Sequence, residues 1–311
     1  MSEPSTSNLY RPNLHRFALF LACYTPLLLL AGALVTSTGS SLAVPDWPLS
    51  FGTLFPKMQG GVLFEHGHRL IAGSVLIFTV LLALYAQKVE QRAWVKKLAW
   101  AALGAVLLQA VLGGLTVLLH LPTQISVSHA GLAQIYFCMV VTLALVTSKD
   151  WIEEKPNRLT DRPSPIGKWA LWTTVLVYLQ ILVGAVTRHS GAGLAITDFP
   201  FSNGHLFPDW SFLTAIQFTH TRIGASLVLL FVAHTAYRAC IHFPEEKGIF
   251  YPAATAGLLV WVQCFLGILI LATGKAIIPT SVHVLVGAGL LASMLVLTLK
   301  CRQLFKKEGR A

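Results

Sequence analysis

The chain has 311 residues, of which 55% are hydrophobic and only 12% charged, with a formal net charge of +10 at pH 7. A soluble domain carries about a quarter of its residues as charges, so an aqueous globular fold is excluded and an integral membrane protein is implied. The basic excess does not mark a nucleic-acid partner, because Lys and Arg fall in short connections between apolar runs, where they act as topology signals.

The chain opens on a polar stretch, Met1 to Asn13, followed by an apolar run without a small-residue cleavage site. That run is expected to be a retained first helix and not a signal peptide. Crossing the hydrocarbon core takes about 20 apolar residues. Eight runs qualify, at roughly 16–37, 64–86, 96–119, 125–147, 167–189, 213–237, 251–273 and 279–299. The expected fold is an all-α integral membrane protein with eight transmembrane helices.

Basic residues alternate between the two sides. Arg11 and Arg16 precede span one, and Lys88, Arg92, Lys96 and Lys97 lie between spans two and three. Lys149, Lys155, Arg158, Arg162 and Lys168 lie between spans four and five, and Arg238 and Lys247 between six and seven. Lys300, Arg302, Lys306, Lys307 and Arg310 form a basic tail, whereas the opposite loops hold only Lys57 and Lys275. The positive-inside rule then puts both termini in the cytoplasm.

The outer loops after spans one and five are long, and they repeat. Gly39 to Pro56 matches Gly191 to Pro208 without a gap, at an offset of 152, including Asp46-Trp47-Pro48 against Asp198-Phe199-Pro200. The same offset pairs Glu65 with Gln217 and His68 with His220. Farther on, Gln109 matches Gln263, Gly113 matches Gly267 and His129 matches His283, now at 154, as if a connection differed by two residues. Two tandem pseudo-symmetric four-helix bundles follow, at 1–148 and 167–311, joined by a charged, proline-bearing linker at 149–166. Because four is even, both bundles face the same way about an axis along the membrane normal.

His68, His129, His220 and His283 each open the second or fourth span of a bundle. Alternate helices of a four-helix bundle run parallel and face each other across the core. Each bundle can therefore offer two imidazoles at one depth, the arrangement of a bis-histidine haem. A lone membrane histidine is often only an interhelical hydrogen-bond partner; four in equivalent places argue against that. Zinc or copper is the rival, although such metals want three or four converging ligands. His66 points to another helix face than His68. His234 lies four turns below His220 without a partner histidine at its depth, which disfavours a stacked second haem.

Glu65 shares a helix face with His68, as a general acid/base, a stabiliser of positive charge, or a helix-start carboxylate favoured by the dipole. Gln217 in the second bundle cannot ionise, so one site is expected for chemistry and the other for electron supply or structure. Arg69, Arg188 and Arg222 at the outer mouths suit haem propionates or snorkel to the interface. The two aromatic loops fold over the mouths as lids or anchor in the interface. Five cysteines, Cys23, Cys138, Cys240, Cys264 and Cys301, form no close pair, so no disulfide framework or zinc site is indicated.

With these residues in view the sequence resembles the haem A synthase family, over nearly the whole chain. The resemblance rests on eight spans in two units, Glu65-x-x-His68-Arg69, and histidines opening spans four, six and eight. It implies oxidation of the C8 methyl of haem O to a formyl group by successive hydroxylations. It further implies that His68 and His129 hold the substrate haem, that Glu65 is catalytic, and that His220 and His283 hold a haem b cofactor. The implied setting is the cell membrane, near haem O synthase and cytochrome oxidase assembly, with an electron donor still to be identified. Two departures stand out: the first outer loop lacks a cysteine pair that many bacterial members have, and the second bundle reads His220-Thr221-Arg222 instead of His-Arg. A bis-haem electron carrier fed by a quinol is the competing reading. A transporter on parallel repeats is weaker, since its spans would be broken at mid-membrane.

Overall fold

A computed structural model describes residues 9–156, 159 and 164–305 of the chain. Arg158, Arg162, Lys306, Lys307 and Arg310, used above for topology, lie outside the described residues. Among those described there are eight helices long and apolar enough to cross a membrane. They are α1 Pro12–Ser37, α2 Gly61–Val89, α3 Ala93–Leu118, α4 Thr123–Val146, α5 Ile166–His189, α6 Phe212–His242, α7 Lys247–Ala272 and α8 Ile277–Phe305. Each coincides with an expected span, with ends that differ from it by at most about two turns.

α1, α2, α3 and α4 form a ring in which each adjoins the next and α4 closes on α1. α5, α6, α7 and α8 form the corresponding ring. α2 and α4 therefore stand on one diagonal, α6 and α8 on the other. The rings meet through α1 and α4 of the first against α5 and α8 of the second. One buried apolar cluster centres on Leu21, Val75, Ala102, Tyr136 and Val140, and a second on Val177, Val232, Val260, Leu291 and Met294.

Lipid gives no hydrophobic drive to helix association, so packing and interhelical hydrogen bonds carry it. Thr79 Oγ1 meets Tyr136 Oη at 2.6 Å between α2 and α4, and Tyr24 Oη meets Ser74 Oγ at 3.0 Å between α1 and α2. In the second ring Thr173 meets Thr235 at 3.0 Å and Thr174 meets Thr298 at 2.9 Å. Arg188 joins the two rings: it donates to the Ala33 carbonyl at 2.8 Å and to Ser37 Oγ at 2.9 Å.

The end of α8 differs from expectation. Lys300, assigned above to a basic tail, is buried within the helix, as is the adjacent Cys301. Lys300 Nζ donates to Glu154 at 2.8 Å, and Gln303 donates to the Trp151 carbonyl, which ties the one-turn helix Lys149–Glu153 to α8. A neutralising carboxylate makes this burial tolerable.

Candidate functional site

The two long loops fold alike. Asp46 accepts the backbone N–H groups of Phe51 and Gly52, at 2.7 and 2.8 Å. Asp198 accepts those of Asn203 and Gly204. These N–H groups, first that of Gly52 and first that of Gly204, hold both carboxyls below the ordinary 3.8. Each loop carries a cis peptide, at Trp47–Pro48 and Phe199–Pro200.

Glu65 and Gln217 anchor these loops from below. The Val44 N–H donates to Glu65 Oε2 at 2.8 Å, and the Ile196 N–H donates to Gln217 Oε1 at 2.5 Å. Val44 and Ile196 are equivalent in the repeat. The Val44 carbonyl is served by Arg69 at 3.1 Å, the Ile196 carbonyl by the Gln217 amide at 2.8 Å. Glu65, 3% exposed, also accepts from Arg69 at 2.7 Å. A carboxylate here thus stands beside a guanidinium, where the second bundle has a neutral amide.

The guanidiniums of Arg69 and Arg222 are bound to loop backbone. Arg69 donates to the carbonyls of Asp46 at 2.7 Å and Leu49 at 2.8 Å. Arg222 donates to those of Asp198 at 2.7 Å and Phe201 at 2.5 Å. These are equivalent carbonyls although Arg222 lies one residue farther from its loop than Arg69. The extra residue is absorbed by a turn of π-helix, Thr219–Gly224, inside α6. His66, buried, bonds Ser50 Oγ through Nδ1 at 2.7 Å, a further loop tether that has Phe218 as its counterpart. Trp47 turns its indole onto Gly114 of α3, where a Cβ would stand 2.6 Å from the ring. Its loop therefore closes the first bundle.

His68 and His129 lie on the diagonal helices α2 and α4, and His220 and His283 on α6 and α8, all within the first turns. Every one of these rings faces a glycine of the preceding helix: Gly32 for His68, Gly113 for His129, Gly184 for His220 and Gly267 for His283. A Cβ at these glycines would stand 3.1, 3.0, 2.7 and 3.6 Å from the respective Cε1. The missing side chains leave room for imidazoles standing inside the bundle. The Nδ1 atoms of His68, His129 and His283 are buried without a hydrogen-bond partner. The fourth, His220 Nδ1, is met by Gln180 Nε2 at 3.1 Å.

The His220 and His283 ring centroids are 6.5 Å apart and the rings steeply inclined. Metal–imidazole bonds of about 2.0–2.1 Å on each side would separate ring centres by roughly this distance. The pair therefore fits an iron held between two imidazoles, as in a bis-histidine haem. Among the described residues no three His, Cys, Asp or Glu side chains converge on a metal-sized point. The donor sets come in pairs, as a macrocycle with four equatorial nitrogens of its own requires.

Beneath the first pair the Thr79–Tyr136 bond draws α2 and α4 together, and this polar floor has the apolar Val232 and Leu290 in its place in the second bundle. His234 is exposed and packs at a tilt against Trp169, 4.8 Å between centroids, on the outer surface of α6. His15 bonds the Ala144 carbonyl at 3.1 Å. Neither approaches the two pairs. The glycine cradles, the π turn and the Ser50–His66 tether carry no sequence signal beyond the repeat itself.

Comparison with known proteins adds an independent line. The family model described as cytochrome oxidase assembly protein, COX15-CtaA, matches residues 58–295. A protein of Bacillus pumilus named "Heme A synthase" is 30% identical over 257 residues, covering 78% of this chain and 80% of its own. Proteins of the same name from Lysinibacillus sphaericus and Staphylococcus saprophyticus are 29% and 30% identical, over 87% of this chain and 90% and 91% of theirs.

Proposed function

The chain belongs to the COX15-CtaA family of cytochrome oxidase assembly proteins, and from that membership we propose that it is a haem A synthase. It is a multi-pass membrane oxidoreductase that converts haem O to haem A, as the name of its relatives states of them. The observation that carries the site assignment is the pair of equivalent cradles, each with two diagonal imidazoles against helix glycines.

His68 and His129 hold the substrate haem, and His220 and His283 hold a haem b cofactor. Bound there, haem b supplies a one-electron couple beside the substrate. Glu65 is the catalytic carboxylate: it stands one turn from His68 on the same face of α2, while Gln217 beside His220 cannot take or give a proton. Val44 N–H and Arg69 orient both Glu65 oxygens, and the loop 44–50 excludes water from the first mouth. The substrate methyl at C8 is oxidised stepwise to the formyl group within this closed space. A hydrophobic substrate enters from lipid between helices.

The bundles 1–148 and 167–311 act as substrate and cofactor units, with 149–166 between them. Both termini are cytoplasmic, by the distribution of Lys and Arg, and the membrane is the cell membrane. Partners are the supplier of haem O, the oxidase that receives haem A, and an electron donor.

The test is extraction and chromatography of haems from the purified protein, wild type and Glu65→Gln, made in cells that contain haem O. Haems B, O and A in wild type, with haem A lost in the variant, are expected. Haem B alone in both would instead identify a bis-haem electron carrier.

A further inference from the structure

Four histidines occupy equivalent cradles, yet only one has a side chain on its Nδ1. Gln180 of α5 places Nε2 3.1 Å from His220 Nδ1 and 2.8 Å from the His220 carbonyl oxygen. In an α-helix that carbonyl would take the N–H of Gly224. Here the N–H of Ala225, five residues on, bonds it, and the turn widens into the π segment Thr219–Gly224. Gln180 is the wedge. Its amide oxygen lies against Gly224, in the space that a Cβ would need. A side chain inserted into the helical ladder is a recognised cause of such distortion.

The first bundle lacks this device. α2 runs as regular α-helix through His68, and the counterpart of Gln180 at the 152-residue offset is Leu28, which has no polar side-chain atom. His129 has a related glutamine, Gln109, but that one donates to the His129 carbonyl at 2.9 Å and leaves Nδ1 without a partner. Among the Nδ1 atoms of the four histidines, only that of His220 thus has a side-chain partner.

We infer that Gln180 is a positioning residue that orients His220 through Nδ1 and makes the second histidine pair the one that retains its haem. This rests on the reading of His220 and His283 as the cofactor pair. A histidine that binds iron through Nε2 carries its proton on Nδ1, and an acceptor there fixes the ring and makes it a better donor. A glutamine amide offers both an acceptor and two donors. With Nε2 free of metal the ring proton sits on Nε2, and Gln180 donates to Nδ1 as seen here. With iron on Nε2 the proton sits on Nδ1, and the amide turned end for end accepts it through Oε1. The turn gives up the Nε2 bond to the His220 carbonyl, which keeps the Ala225 N–H, and Oε1 must draw back from that carbonyl oxygen to face Nδ1 alone. His68 has the backbone of Leu28 near its ring and no side-chain amide on Nδ1, which suits a site that must release its haem after each reaction.

The test uses full-length protein in detergent: wild type, Gln180→Leu, which installs the residue of the first bundle, and Gln180→Glu, a stronger acceptor of the same size. Two quantities are read, the transfer of haem B to apomyoglobin and the midpoint potential of the retained haem B. Gln180→Leu is expected to weaken retention about 10–100-fold, the usual effect of losing a ligand's hydrogen-bond partner, and to raise the potential. Gln180→Glu is expected to keep retention and lower the potential, because a more electron-rich imidazole favours ferric iron. Opposite shifts cannot come from a general loosening of the bundle. Unchanged potentials, or shifts of both variants in one direction, would overturn the inference. If Gln180→Leu does not accumulate, the sign of the Gln180→Glu shift decides alone. Wild-type protein without haem B would overturn the cofactor reading itself, a separate outcome.

Discussion

The Cα of Gly184 lies so close to the His220 ring that a Cβ built on it would stand 2.7 Å from Cε1. The corresponding distances at Gly113 and Gly32 are 3.0 and 3.1 Å, and at Gly267 it is 3.6 Å, an ordinary contact. Substitution by alanine should therefore act in that order. Gly184→Ala is expected to displace His220 and abolish haem B binding, with overpacking of about 1–3 kcal/mol. Gly267→Ala should retain haem B near the wild-type level. The haem-to-protein ratio of the four purified variants checks the ranking, and equal losses at 184 and 267 would contradict it.

Glu65 combines a structural task with a charge, and Gln217 shows that an amide can perform the first alone. Glu65→Gln should therefore fold and keep the loop closed, at a cost of about 1 kcal/mol for a neutral hydrogen bond in place of a charged one. Haem A formation should fall by about 10²–10⁴-fold, the scale of a lost general acid/base. Glu65→Ala should lose both loop and activity. Thermal stability and haem A yield, measured together, separate the two tasks. Undiminished haem A in Glu65→Gln would remove the carboxylate from the chemistry.

Trp47 on Gly114 has no counterpart in the second bundle, where Ile268 follows Gly267. Gly114→Ala must expel the indole, and Trp47→Ala removes it. Both variants should lower the content of haem O and haem A while haem B stays constant. Parallel loss of all three haems would show that Trp47 serves general stability and not the first mouth.

Asp46 and Asp198 carry folded-state pKa values below the ordinary 3.8, because each accepts two loop N–H groups. Their stabilising contribution is complete above the unfolded value and is lost as pH falls through the lower, folded one. Protection of the Phe51, Gly52, Asn203 and Gly204 amides from hydrogen exchange should be constant from neutral pH down to about pH 5 and be lost only as pH falls below the ordinary carboxyl value of 3.8. Asp46→Asn should abolish the acidic step in the first loop only. A loop that opens between pH 5 and 7 would point to histidine titration instead.

Much of this molecule was legible because its constraints are one-dimensional. Membrane spans need a run of apolar length, and a tandem repeat shows itself as a constant offset; both survive in a string of letters. His68 and His220 were found by that offset, as was the Glu65–Gln217 contrast. What stayed hidden depends on which helices touch. Gly32 and Gly184 look like ordinary small residues of a membrane helix until the rings of His68 and His220 are seen against them. His220-Thr221-Arg222 read as a departure from His68-Arg69, yet Arg222 grips the loop carbonyls equivalent to those held by Arg69, because the π turn takes up Thr221's extra position. Arg188, in the last turn of α5 as expected, is also bonded to α1 across the junction of the two rings.

His68, His129, His220 and His283 all open helices that start at the same end of the bundles, so the two pairs lie side by side at one level. A charge carried fully across a membrane exchanges about 2.3 kcal/mol with each 100 mV of potential. Under the proposed reading, an electron passing between these two sites would travel parallel to the membrane plane and do no such work. On the proposed assignment of the two pairs, electron transfer between them would be insensitive to the energised state of the cell.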